Sequence, residues 1–160
     1  VLDDPLYPHC NGWAYMPGCL LTNAPIDLLV FMLGTNDFQM HFNTTPQSTA
    51  RSIRFMLENA QKMPITRDGA ALKILLLCPA SISEHRFGYQ PSDLVSQRDI
   101  DNSRALREHL PVMAQQLGCE YLDLNDYVKV SDKDGLHLEP ESHIKVSEIV
   151  AAKIKEMKIR

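Results

Sequence analysis

The sequence predicts an α/β fold with a parallel sheet and flanking helices, and two observations support that prediction. Two apolar runs, "IDLLVFML" (26–33) and "ALKILLLCPA" (71–80), lack the polar–apolar alternation of a strand with one wet face. Such runs are typical of strands that are covered on both faces. Segments with helical spacing separate the strands, giving the order strand, helix, strand, helix, strand, helix. The length, 160 residues, predicts one domain.

The first 25 residues predict a loop that holds one short helix. They are rich in Pro, Asn and Gly, which favour turns. The helix is expected from about Trp13 to Leu21. The first strand follows, from Ile26 to Leu33, and stops at "GTND".

The next two elements are a helix and the second strand. Thr45 is a suitable N-cap and Pro46 a suitable first helical residue, while Pro64 ends the helix. The second strand, 71–80, stops at Pro79. The apolar stripe of the helix consists of Ala50, Ile53, Met56, Leu57 and Ala60.

The segment 81–100 has no clear periodicity and is long for a plain connection, so we expect it to cover a site. A helix is predicted from Asp101 to Leu117. It contains Pro111, which should kink it, and Gly118 is a suitable residue to follow its end.

A third strand, Glu120–Leu124, precedes the last predicted helix. That helix has Pro140 near its start and lysines near its C-terminal end, as the helix dipole favours. Its apolar stripe consists of Val146, Ile149, Val150 and Met157.

Charge and composition argue against several classes of partner. The net charge is −4 without a long run of one sign, which predicts binding to neither nucleic acid nor a membrane. No apolar run approaches the ~20 residues of a membrane helix. The four cysteines show no C-x-x-C spacing, so we expect free thiols in a reducing compartment, with the cytoplasm favoured.

The first cluster of polar residues is Gly34-Thr35-Asn36-Asp37, at the C-terminal end of a predicted parallel strand. Ligands bind at such ends in open α/β sheets. The Asn36 amide could donate to a developing oxyanion. Taken alone, the tetrapeptide fits better with a turn in which Asn36 or Asp37 bonds to the local backbone.

The second cluster is Asp134 and His137, in the loop before the last helix. The carboxylate can reach the imidazole, fix its tautomer and stabilise the imidazolium, as a base in acyl transfer requires. The alternative is a solvated acidic loop. An EF-hand alignment fails because its first ligand position falls on Val130, and zinc is disfavoured because His137 and His143 are six residues apart. We therefore predict no metal.

Together the two clusters resemble the SGNH (GDSL) hydrolase family. "GTND" is similar to the family's third block, whose Asn donates to the oxyanion hole, and "DGLH" to its fifth block, D-x-x-H. "DDPLYPHCNGWAYMPGCL" followed by "PIDLLVFMLGTND" resembles the arylesterase and acyltransferase branch. The resemblance covers nearly the whole chain.

The resemblance implies a flavodoxin-like parallel sheet and a serine-type esterase or acyltransferase. It would act on short-chain aryl or alkyl esters through an acyl-enzyme, with no cofactor. His137 would be the base, Asp134 would orient it, and Asn36 would donate to the oxyanion. A small-molecule ester would be the substrate, and homo-oligomers are expected because related arylesterases assemble. Gly34, Thr35 and Asp37 would shape the site.

Aromatic side chains could line the substrate pocket, although plain packing explains them equally well. The candidates are Trp13, Phe38, Phe87 and Tyr89. The remaining histidines have no partner at telling spacing, so we interpret them as surface or loop residues: His9, His41, His85, His109 and His143.

The family's first block, G-D-S, is absent from the sequence. We therefore expect residues 1–160 to be the C-terminal part of a single SGNH hydrolase domain, with the nucleophilic Ser on a segment or chain outside it. Without that neighbour, the strand 26–33 would be an exposed apolar edge whose only charge is Asp27. The alternatives are a carbohydrate-ester deacetylase of the same superfamily and an inactive SGNH-like binding protein.

Overall fold

The computed structural model describes residues 1, 3–4, 9–84 and 95–159, which form a three-stranded sheet with flanking helices. The strands are β1 (Leu28–Phe31), β2 (Lys73–Cys78) and β3 (Glu120–Asp123), in the spatial order β1-β2-β3. Both pairings are parallel. The predicted α/β fold with a parallel sheet is therefore confirmed, and the carboxyl ends of all three strands lie at one edge.

Four α-helices accompany the sheet in the described part of the chain. They are α1 (Gly12–Thr22), α2 (Pro46–Lys62), α3 (Gln97–Leu117) and α4 (Pro140–Glu156). None of them combines the length and the apolar character that crossing a membrane would require.

Local capping explains where these helices begin and end. The Thr45 hydroxyl accepts from the N–H of Ser48 at 3.1 Å and so caps α2, as predicted. Helix α3 begins four residues before the predicted Asp101, because Ser96 and Asp99 form a capping box. Gly118, with φ +66°, ends α3 as predicted.

The core has two layers, one on each face of the sheet. Successive β2 side chains point to opposite faces, so Ile74 and Leu76 join the main layer while Leu75 and Leu77 join the second. Helices α1, α2 and α3 cover the main layer and α4 covers the second. The predicted cover of β2 on both faces is confirmed.

Strand β1 is not covered on both faces, in contrast to the expectation from its continuous apolar run. It pairs only with β2 among the described residues, so it is an edge strand. Val30 and Met32 are 40% and 45% exposed, and Leu33 is 36% exposed. The sheet therefore has the apolar edge that the sequence predicts for a first strand without its neighbour.

Candidate active site

The chain leaves β1 through a tight turn at Gly34. Gly34 has φ +125° and precedes a 3₁₀ turn, Thr35–Phe38. Its carbonyl accepts from the N–H of Asp37 at 3.2 Å. A Cβ on Gly34 would lie 3.2 Å from Leu106 Cδ2 and 3.4 Å from Thr49 Cγ2. Conformation and close packing both require glycine here.

We therefore expect Gly34→Ala to lower the free energy of unfolding by about 1–3 kcal/mol, since alanine is strained at this φ and crowds Leu106. Urea unfolding would measure the change. Gly18→Ala is the matched control: Gly18 lies inside α1 with no atom within 4 Å of an added Cβ, so stability should hold or rise slightly. Equal effects of the two substitutions would contradict the strain at Gly34.

The turn leaves Asn36 exposed and Asp37 buried. Asp37 is 2% exposed, and its Oδ2 accepts from the backbone nitrogen of Val1 at 3.0 Å. Its carbonyl accepts from the Thr44 hydroxyl at 2.5 Å. Asn36 is exposed, and its amide has no hydrogen-bond partner among the described residues. The geometry leaves this amide free to donate to a ligand, whereas Asp37 holds the turn.

A cleft of about 300 Å³ opens beside Asn36. Gln39, on its wall, has a buried side-chain oxygen without a hydrogen-bond partner in the described part of the chain. Thr35 is half-buried. The residues that line the cleft are Val1, Asp4, Cys10, Asn36, Asp37, Gln39 and Phe42.

The predicted contact between Asp134 and His137 is present in the loop before α4. Asp134 Oδ2 lies 2.7 Å from His137 Nδ1. The other carboxylate oxygen, Oδ1, accepts from the backbone N–H groups of Leu136 and His137, both at 2.9 Å. The loop thus holds the carboxylate against the imidazole by three hydrogen bonds.

These contacts determine the charge on Asp134. Partial burial alone would raise the pKa of its carboxyl, but the hydrogen bonds from the backbone and ring of His137 and from Leu136 outweigh burial and lower the pKa to about 2. At neutral pH the carboxylate can only accept, so Nδ1 of His137 must carry the proton. The lone pair of a neutral imidazole is then on Nε2. The His137 side chain is 72% exposed, which leaves Nε2 accessible.

The lowered pKa of Asp134 predicts a pH dependence of stability. A carboxyl whose pKa falls on folding stabilises the protein above its unfolded value of 3.8, and this contribution is lost as pH falls towards 2. The difference in unfolding free energy between the wild type and Asp134→Asn should therefore shrink as the pH falls from about 4.5 to about 2. The carboxyl ¹³C resonance of Asp134 should titrate near pH 2. A midpoint at its ordinary value would contradict the role of the three hydrogen bonds.

Asn36 and His137 lie at the same edge of the sheet. Asn36 follows the carboxyl end of β1, and the loop with His137 follows that of β3. The carbonyl of Gly135 accepts from the N–H of Ser83 at 3.0 Å, so this loop is tied to the segment after β2. Ligands bind at this edge in open α/β sheets.

Asn125 joins the ends of β2 and β3, a contact that the sequence analysis missed. Its Oδ1 accepts from the N–H and the hydroxyl of Ser81 at 2.9 and 2.8 Å. Its Nδ2 donates to the Pro79 carbonyl at 3.0 Å and to Asp123 Oδ1 at 2.7 Å. Arg107 Nε lies 2.7 Å from the other oxygen of Asp123. This network fixes the sheet edge that carries the Asp134–His137 loop.

The thiols of Cys78 and Cys119 are poor nucleophiles. Burial, reinforced by the negative charge of Asp123, raises the pKa of Cys78 to about 12. Burial raises the pKa of Cys119 to about 11. Both thiols stay protonated at neutral pH, so neither is a suitable partner for His137.

The structure describes two of the four aromatic side chains that the sequence analysis considered for a pocket. Phe38 is 1% exposed and packs in the main core, so its assignment to a pocket is wrong: burial leaves no surface for a ligand. Trp13 packs edge-on against Phe55, with ring centroids 4.9 Å apart. Phe87 and Tyr89 lie outside the described residues.

His41 is less exposed than the interpretation as a surface or loop residue predicts, and neither of its ring nitrogens makes a hydrogen bond among the described residues. It is half-buried, its Nε2 lies 3.2 Å from Asp4 Oδ1, and its ring contacts Phe42. His9 and His143 are exposed, as expected, and His109 is half-buried. His85 lies outside the described residues.

Known structures share this fold. No protein-family model and no curated protein matches the chain. One solved structure is 31% identical, with a TM-score of 0.92, and the match covers all of this chain and 73% of that one. The carbohydrate acetylesterase Est24 from Sinorhizobium meliloti is 25% identical, with a TM-score of 0.88 and coverage of 98% and 73%. The M. smegmatis aryl esterase is 23% identical, with a TM-score of 0.87 and coverage of 97% and 72%.

Proposed function

We propose that this chain, which has the fold of aryl esterases and carbohydrate acetylesterases, is part of an SGNH (GDSL) hydrolase. It would provide the acid, the base and an oxyanion donor of a serine-type esterase or acyltransferase that acts on short-chain esters. The observation that carries the proposal is the Asp134–His137 pair: Nδ1 is held at 2.7 Å from an ionised carboxylate, and Nε2 is accessible.

The roles follow from the chemistry of acyl transfer. Nε2 of His137 takes the proton from a Ser hydroxyl as the oxygen attacks the ester carbonyl carbon. The Asn36 amide donates to the oxygen that becomes negative. The tetrahedral intermediate then breaks its bond to the alcohol oxygen, which receives the proton from His137. Water, or a second alcohol, attacks the acyl-enzyme by the same route and regenerates Ser.

The nucleophilic Ser would come from a segment or chain outside residues 1–160. No serine of the sequence stands in a G-D-S block. Strand β1 has an unpaired apolar edge in the described part of the chain, and a further strand would cover Val30 and Met32. A Ser at the end of such a strand would lie beside Asn36, since Asn36 follows β1.

A fluorophosphonate probe tests this proposal, because it labels only an activated Ser. We expect the full-length protein to hydrolyse an aryl acetate and to carry the label on a Ser outside residues 1–160. The matched sample is residues 1–160 alone, which should neither hydrolyse the ester nor be labelled. Label on Ser83 would refute the proposed origin of the nucleophile. A full-length protein with neither label nor hydrolysis would instead support the inactive binding protein.

A carbohydrate ester is the second candidate substrate. Gln39 lines the cleft beside Asn36, and its side-chain oxygen has no hydrogen-bond partner among the described residues. Rotation of this side chain into the cleft would let it accept from a sugar hydroxyl, which an aryl acetate cannot offer. Activity on an acetylated oligosaccharide should then fall in Gln39→Leu while activity on the aryl acetate persists. Equal losses on both substrates would favour the simple ester.

A further inference from the structure

Ser131 forms hydrogen bonds across the loop that carries His137. It is 6% exposed. Its N–H donates to the His137 carbonyl at 2.6 Å, and its carbonyl accepts from the N–H of Gly135 at 2.8 Å. Its hydroxyl accepts from the N–H of Lys133 at 3.0 Å and donates to Glu139 Oε1 at 2.5 Å. One buried residue thus bonds to the start, the middle and the end of the loop.

Glu139 is the second half of this arrangement. It occupies the N-cap position of α4, where a side-chain oxygen usually accepts from the helix, yet it makes no such bond. Its carboxylate turns back to the Ser131 hydroxyl and to Lys133 Nζ at 2.9 Å. The hydrogen bonds from Ser131 and then Lys133 lower the pKa of Glu139, so it remains an ionised acceptor. The first turn of α4 is thereby bonded to the start of the loop.

The imidazole of His137 depends on this loop for its direction. The His137 side chain is 72% exposed, and among the described residues its ring is bonded only to Asp134. Asp134 belongs to the same loop. The backbone of residues 131–137 therefore determines where Nε2 points, and the buried Ser131 bonds to this backbone at both ends and in the middle.

We propose that Ser131 is a positioning residue: the hydrogen bond from the Ser131 hydroxyl to Glu139 keeps the imidazole of His137 in a fixed orientation. Its effect on catalysis rests on the function proposed above, whereas its effect on the imidazole does not. Removal of the hydroxyl leaves Glu139 without its buried donor and the N–H of Lys133 without its acceptor. The loop then samples directions in which Nε2 misses the hydroxyl proton, and a misplacement of about 1 Å can cost on the order of 10²-fold in rate.

The experiment compares Ser131→Ala, Ser131→Thr and Glu139→Gln in the full-length protein. Ser131→Ala should lower kcat for an aryl acetate by about tenfold or more with KM little changed, and threonine, which keeps a hydroxyl, should restore most of it. Ser147→Ala is the control, since its exposed hydroxyl bonds only to the Ile144 carbonyl of α4. Its kcat should match the wild type.

A second readout is the ¹H NMR resonance of the His137 Nδ1 proton, which is shifted downfield by the bond to Asp134. This resonance should broaden in Ser131→Ala and persist in Ser147→Ala, because a looser loop exposes the proton to exchange with water. If the wild-type protein has no esterase activity but the resonance still broadens in Ser131→Ala, the positioning role is supported and the proposed function is refuted. Unchanged kcat and resonance in Ser131→Ala would overturn the positioning role. If Ser131→Ala does not fold, Glu139→Gln weakens the same bond and gives the same two readouts.

Discussion

His137→Ala is expected to lower kcat for ester hydrolysis by about 10³-fold or more, because it removes the proposed base that takes the proton from the nucleophile. Asp134 is ionised but faces the opposite ring nitrogen of His137. The substitution should barely change the stability of the fold, since the imidazole is 72% exposed. Steady-state kinetics with an aryl acetate, together with thermal unfolding, measure both effects.

His143→Ala is the matched control for this substitution. His143 is an exposed histidine on α4, so its replacement should leave kcat and the unfolding temperature unchanged. Imidazole added to the His137→Ala protein should restore part of the rate, as an external base would. Wild-type activity in His137→Ala would refute the assignment of the base.

Asn36→Ala is expected to lower kcat by about 10²–10³-fold with little change of KM, because an oxyanion donor acts mainly in the transition state. The amide is exposed and has no partner among the described residues, so no side-chain hydrogen bond within that part of the chain explains such a loss. Kinetics and thermal unfolding of the same samples would separate a catalytic effect from a structural one.

Asn36→Asp sharpens this test. Aspartate has nearly the same shape but lacks the N–H donors and adds a negative charge beside the developing oxyanion. Its kcat should be at least as low as that of Asn36→Ala. Gln115→Ala is the control, since Gln115 is an exposed amide on α3 and should not affect the rate. Normal activity in Asn36→Asp would exclude an oxyanion role.

The elements that the sequence predicted well are those with local signals. Thr45 and Pro46 begin α2 and Gly118 ends α3, because caps act within a single turn. The start of α3 was predicted too late, although Ser96 and Asp99 have the capping-box spacing. The apolar run 26–33 alone predicted cover on both faces, and this fails for the exposed Val30 and Met32, because such a run does not show whether a strand has a neighbour. The expectation of an exposed apolar edge agrees with their exposure.

In the candidate site too, contacts between residues close in sequence were predicted and contacts that depend on the fold were not. Asp134 and His137 are three residues apart, so their contact could be predicted from the loop alone. Asn125 and Ser81 are 44 positions apart, and only the parallel pairing of β2 and β3 brings them together. Ser131 has no motif around it; its importance depends on burial, which the sequence does not give.

The parallel sheet also separates the edge that carries Asn36 and His137 from an opposite edge that is available for attachment. The exposed turn Arg67–Gly69 precedes β2, and no atom lies within 4 Å of an added Cβ at Gly69. Asn36 and His137 follow strand ends at the other edge. A biotin or a solid support attached at this turn would leave the edge with Asn36 and His137 facing the solution. The protein could thus be immobilised while a dissolved ester still reaches Asn36 and His137.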